Sequence, residues 1–292
     1  MIRSSIYNNS NLNEISTMGN FHVLEHQKDL SVSSYSAVNY FFASKMNVRK
    51  RQVLINLDGN GTYIVQKGAM QWMSGNVTTD TNVKGVGDFL GKMVSSAVTN
   101  ESAVKPIYRG QGQLMLEPTY KHIILLDVSK WGTVVLDDGL FLACDGTLIQ
   151  KTVARKNLSS AVLGGEGLFN LSLSGNGIAV LESEVPYDEL IEVELENDVM
   201  KIDGNMAIAW SGSLDFTVEK SGKSLLGSAV SGEGFVNVYR GTGRILLAPT
   251  AFTLANPIAS SSNTGQSQSK TSGAGTAGKV LGTVVDVLDL FS

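Results

Sequence analysis

His22-Val23-Leu24-Glu25-His26 sets two imidazoles four residues apart with a carboxylate beside the second, the H-x-x-E-H order of inverted zinc proteases. That chemistry requires a helix, on which two histidines four apart converge on one Zn²⁺ with the glutamate adjacent. In a strand the same interval spans about 13 Å, at about 3.3 Å per residue, too far to share a metal. Nothing nearby favours a helix, and Ser31-Val32-Ser33-Ser34 disfavours one, so no metal site is assigned. Gly273-Ala274-Gly275-Thr276-Ala277-Gly278-Lys279 imitates both a dinucleotide turn and a phosphate loop. The phosphate loop needs Ser or Thr after its lysine, where Val280 stands, and both motifs need a preceding strand, where a Ser/Gly stretch stands. No cofactor is expected. Three histidines and one cysteine leave few nucleophile–base combinations, and no Gly-x-Ser-x-Gly elbow occurs. No catalytic residue is assigned, and the expectation is a protein that is not an enzyme.

Two sets of residues remain as candidates for binding. Lys45, Arg49, Lys50 and Arg51 follow the aromatic run Tyr40-Phe41-Phe42, a pairing that suits single-stranded nucleic acid or anionic lipid headgroups. The plainer alternative is a solvated loop beside a buried aromatic strand. Glu101, Glu166 and Glu233 recur at one position of an internal repeat, where carboxylates around a threefold axis would hold a cation or shape a pore. The plainer alternative, which we prefer, is that each accepts backbone N–H groups in a turn.

These candidates sit in a chain of 292 residues that is 42% hydrophobic and 17% charged, with 31 glycines and 5 prolines. Abundant glycine without proline suits tight turns and bulges. The net charge of −4 gives no general basis for holding a phosphate backbone. The single Cys144 excludes an intrachain disulfide and reads as a small core residue. No apolar leader and no apolar stretch approaching 18 residues is present, so a cytoplasmic setting is expected.

The positioning elements come from internal repetition. The glycine pairs Gly110/Gly112, Gly175/Gly177 and Gly241/Gly243 each precede an apolar run, and their first members lie 65 and 66 residues apart. Apolar segments ending at Gly75, Gly146 and Gly212 keep the same phase, as do the three glutamates. Both Gly146 to Gly175 and Gly212 to Gly241 span 29 residues, whereas Gly75 to Gly110 spans 35, so the first copy carries six more. The glycine pairs supply positive φ for hairpin turns. Strands are expected over 122–128, 190–195 and 214–219. The reading is all-β: an extension over 1–19, then a domain over 20–256 with repeats at 53–118, 119–183 and 184–249. A Ser/Gly linker over 257–279 follows, and then an amphipathic helix over 280–292 on Leu281, Val284, Leu288 and Phe291.

Phe21-His22-Val23-Leu24-Glu25, Val65-Gln66-Lys67-Gly68-Ala69-Met70 and the repeated glycine turns resemble the altered-inheritance-of-mitochondria family, over residues 20–255. The resemblance implies a β-rich fold of the tryptophan RNA-binding attenuator type, a sandwich or prism of pseudo-threefold repeats that oligomerises. It also implies bacterial members of unknown function and eukaryotic members associated with mitochondrial inner-membrane organisation. It supplies no catalytic residues. Residues 33–51 stand out as an insertion and the tail from Pro257 as an addition. The expected function is a non-enzymatic oligomeric scaffold or binding module with a protein or membrane partner. The alternatives are nucleic-acid binding through residues 45–51 and peripheral membrane organisation through the tail.

Overall fold

The computed structural model describes residues 4–81, 105–154, 169–204, 206–220 and 235–250. Glu101, Glu166, Glu233, the linker 257–279 and the tail 280–292 lie outside the described residues. Among those described, the chain is mostly β. Ahead of residue 20, β1 (Leu12–Met18) already pairs with β2 (Phe21–His26). A helix, α1 (Ala37–Lys45), leads into three long strands, β3 (Arg51–Val65), β4 (Met70–Thr81) and β5 (Pro106–Leu116). Six shorter strands follow: β6 (His122–Asp127), β7 (Thr133–Leu136), β8 (Phe141–Asp145), β9 (Ile149–Ala154), β10 (Phe169–Ser174) and β11 (Ile178–Ser183). The described part closes with β12 (Ile191–Asp203), β13 (Ala207–Ser211), β14 (Asp215–Lys220) and β15 (Phe235–Leu247). All the pairings among them are antiparallel. One sheet runs β1-β2-β3-β8-β11-β6 with β5 and β4 branching from β3, and the other runs β12-β15-β13-β7-β10-β9 with β14 on β15.

The strands expected at 122–128, 190–195 and 214–219 correspond to β6, the start of β12 and β14. The central strands are buried on both faces, which explains why they read as unbroken apolar runs. In β8, Phe141 and Cys144 join a cluster with Leu136, Leu181 and Ile208, while Leu142 and Ala143 join a second with Phe21, Tyr63 and Leu114. In β13, Ile208 and Ala209 belong to the first cluster, and Ala207 and Trp210 to a third with Tyr239 and Ile245. The first cluster draws on strands of both sheets, and the second and third each draw on one sheet alone. Each sheet therefore curls over apolar contents of its own.

The paired glycines depart from the sequence expectation. Only Gly175 and Gly177 link two strands; Gly110 and Gly112 lie inside β5, and Gly241 and Gly243 inside β15. Gly110 lies opposite a break in register of β3 between Asp58 and Thr62, and Thr242 opposite one in β12 between Leu195 and Asp198. The positive φ foreseen for a hairpin turn is present at Gly110 (116°) and Gly241 (119°), but within a continuous strand, opposite a bulge formed by extra residues of the partner strand.

Candidate functional site

The segment between β2 and β3 is where the structure differs most from expectation. The plainer reading of Tyr40-Phe41-Phe42, a buried aromatic strand, is corrected: the three belong to α1, and no residue of α1 is buried. The serine-rich approach ends at Ser36, the N-cap, whose carbonyl accepts the Tyr40 N–H at 3.1 Å. The helix stops at Met46, and Asn47 turns the chain with a φ of 63°.

The helix presents an unusual face. Val38, Phe41, Phe42 and Lys45 follow i, i+3, i+4, i+7 spacing and so lie along one side. That side faces out: Val38 is 65%, Phe41 57% and Phe42 63% exposed. Met46 just beyond is 79% exposed, and Leu30, Tyr35 and Val48 are exposed as well. A surface helix of a globular protein normally turns such a stripe to the core; here it is turned to solvent. Phe41 and Phe42 meet edge to face at 5.5 Å, and the Lys45 ammonium lies 5.3 Å from the Phe41 ring centre. The opposite side, with Tyr40 and Ser44, covers a cavity of about 210 Å³, which Phe41 also borders and which His26, Asp29, Lys50 and Tyr120 help to line. Clefts that hold most small ligands measure about 300–1,000 Å³, so this cavity is small for a ligand site.

The basic cluster is largely spent on holding this segment. Arg51 is 2% exposed; its Nη2 contacts Glu25 Oε2 at 2.8 Å and donates to the Asn47 carbonyl and Oδ1, both at 2.9 Å. Arg49 Nη1 donates to Glu25 Oε1 at 3.1 Å, and Lys50 Nζ to Asp29 Oδ1 at 3.0 Å. The Tyr120 hydroxyl donates to the other Asp29 oxygen, and its ring stands 5.6 Å from that of Tyr40. Burial works against the Asp29 carboxylate, but the Tyr120 hydroxyl, Lys50 and the Ser31 amide outweigh it and hold its pKa below the ordinary value. Three of the four cations proposed for polyanion binding thus serve Glu25 and Asp29, and Lys45 alone of the four stays exposed.

The remaining candidates separate. His22 and His26 stand on β2, as the strand reading requires. His22 contacts Glu14 and Asn56, and His26 contacts Gln52, while Glu25 is buried against the arginines. Among the described residues no group of three His, Cys, Asp or Glu is placed to hold a metal. Cys144 is buried, and that burial pushes its thiol up to about 12, far from a reactive thiolate. A second cavity, of about 200 Å³, is lined by Asn170, Ser172, Trp210 and Phe216 on the other sheet.

His122 adds a pH dependence to this region. Burial and then the nearby Arg51 charge hold it below 6.5, against the pull of Glu25 and Glu184. The folded form therefore keeps His122 neutral while the unfolded chain protonates it near pH 6.5. Its contribution is complete above that pH and is lost as the pH falls toward the folded value. The melting temperature of wild type is expected to drop more steeply than that of His122→Asn between pH 7.5 and about 5.5; parallel curves from thermal scans would contradict this.

The fold and the site define a mostly β scaffold of antiparallel sheets carrying a short, outward-facing aromatic helix. Residues 45–250 match the model of the mitochondrial biogenesis AIM24 family, and the chain belongs to that family. An uncharacterized protein of Streptococcus pyogenes serotype M6 is 33% identical over 203 residues, covering 67% of this chain and 79% of its own. A crystal structure of a Streptococcus pyogenes protein is similar with a TM-score of 0.53 and 28% identity, over 72% of this chain and 93% of its own. The family match begins at Lys45, so most of α1 precedes it. Among the described residues no helix is long and apolar enough to cross a membrane.

Proposed function

We propose that the protein is a non-enzymatic binding module, a β scaffold whose helix α1 is its contact surface for a macromolecular partner. The observation that carries this reading is the outward stripe of Val38, Phe41 and Phe42, extended by Met46. An exposed apolar patch of this kind, on a helix rooted in a buried ion-pair network, is the mark of a surface that is covered in use. The scaffold is proposed to be three repeats, as the sequence period suggests. Two hydrogen bonds at one separation support that: Thr147 Oγ1 donates to the Asn176 carbonyl and Ser213 Oγ to the Thr242 carbonyl, each at 2.8 Å and 29 residues apart. Oligomer formation is part of the proposal, since among the described residues the long strands β4 and β12 pair on one side only. A cytoplasmic setting is proposed as well, with the single buried thiol as its support.

Native mass spectrometry of the protein isolated from its own cell tests the reading. Wild type is expected to retain added mass, as further copies or a bound partner, that the double variant Phe41→Ser, Phe42→Ser loses. A bare monomer in both preparations would contradict it.

A further inference from the structure

We infer that the partner of α1 is an anionic lipid surface, on which the helix lies with Phe41 and Phe42 in the interfacial region; this rests on the reading of α1 as the contact surface. Charge selects this occupant. From Leu30 to Lys50 the sequence contains no Asp or Glu, although the whole chain carries a net charge of −4. Residues 25–51 hold five cations (Lys28, Lys45, Arg49, Lys50, Arg51) against two carboxylates (Glu25, Asp29), a net of +3. Both carboxylates are taken up, Glu25 by the two arginines of the segment and Asp29 by Lys50 and by Tyr120 from outside it. Lys28 and Lys45 stay exposed on either side of the apolar residues.

Exposed aromatics bordered by exposed lysines, with no carboxylate among them, suit contact with an anionic lipid surface, where rings insert and ammonium groups meet phosphates. The phenylalanines enter the acyl boundary, the exposed Tyr35 supplies a ring with a polar tip suited to headgroup depth, and Lys45 reaches back to the phosphates along its alkyl stem. A second copy of this chain fits less well. A twofold contact sets a surface against itself, so it would bring two net-positive segments together with no carboxylate free to pair them. Nucleic acid fits less well again, because its affinity grows with the number of free cations, and three of the five here are committed to Glu25 and Asp29.

The experiment is co-flotation of the full chain with vesicles of phosphatidylcholine containing phosphatidylglycerol, beside vesicles of phosphatidylcholine alone. Light scattering of the same samples reports self-association. The variants are Phe41→Ser with Phe42→Ser, and Lys45→Glu, each checked for an unchanged melting temperature. All three positions are exposed, so the fold is expected to tolerate them. Wild type is expected to float with the anionic vesicles, less in high salt and less with phosphatidylcholine alone. The double variant is expected to bind about a hundredfold more weakly, since it removes most of the inserted apolar area, and Lys45→Glu about tenfold. Equal flotation of wild type and the double variant would overturn the proposal by moving the contact elsewhere in the chain. Absent flotation with self-association that the double variant abolishes would overturn it in favour of a second copy, and the binding-surface reading would stand. Absent flotation with a monomer in every sample would overturn both.

Discussion

Arg51→Ala is expected to lower the unfolding free energy by about 3–5 kcal/mol, the usual cost of breaking a buried ion pair from one side. The size follows from burial. The guanidinium is 2% exposed and Glu25 lies on the interior side of β2, so removing the cation leaves a carboxylate with poor access to water. Arg49 remains at 3.1 Å from the other carboxylate oxygen, but it is 31% exposed and cannot replace the inner contact. The substitution also strips two hydrogen bonds from Asn47, which holds its left-handed turn at the foot of α1, and one at 3.3 Å from the Lys121 carbonyl. The same variant should therefore loosen the helix before it unfolds the sheets. Urea titration followed by tryptophan fluorescence measures the first effect, and proteolysis within 37–48 under native conditions the second. A loss below about 1 kcal/mol, the scale of an exposed pair, would show that this network is not what roots the helix.

Gly110→Ala is the second large effect, expected at about 3–5 kcal/mol, whereas Gly241→Ala should cost only about 1–3 kcal/mol. The two glycines share a φ near 116–119°, so backbone strain alone would make them equal. They differ in their surroundings. A Cβ on Gly110 would stand 2.0 Å from the Asn76 carbonyl oxygen of β4, which cannot be relieved without displacing that strand. On Gly241 the nearest atom, the Ser213 carbonyl oxygen, is 3.7 Å away, an ordinary contact. Paired denaturation curves test the comparison. Equal losses would mean that β4 and β5 do not approach as closely as Gly75 opposite Gly112 requires.

These glycines also show where sequence reasoning stops. Their spacing and their need for positive φ were legible, because only glycine adopts that conformation without strain. Whether such a residue reverses the chain or bends a strand depends on the partner strand, and β3 lies about fifty residues upstream of Gly110. The apolar run Phe141–Cys144 was legible as strand and core. Its burial on both faces was not, since that requires each sheet to curl over its own cluster.

At the candidate site the same limit applies to charge. Lys45, Arg49, Lys50 and Arg51 are visible as a cluster, but the carboxylates that claim three of them come from β2 and the turn after it, more than twenty residues away. The helix itself left a usable signal. Val38, Phe41, Phe42 and Lys45 carry helical spacing, which the β-forming character of Tyr and Phe concealed. Once α1 is placed, the same four residues become the exposed stripe on which the functional reading stands.

The most direct test of that reading is the rate of backbone deuterium exchange over residues 37–48, compared between the purified full chain in solution and the same chain in presence of phosphatidylglycerol-containing vesicles. A helix that covers its apolar face on the vesicle should exchange at least tenfold more slowly there, with the sheets β3, β8 and β13 unchanged. Uptake over 37–48 that is the same in both samples would contradict the account.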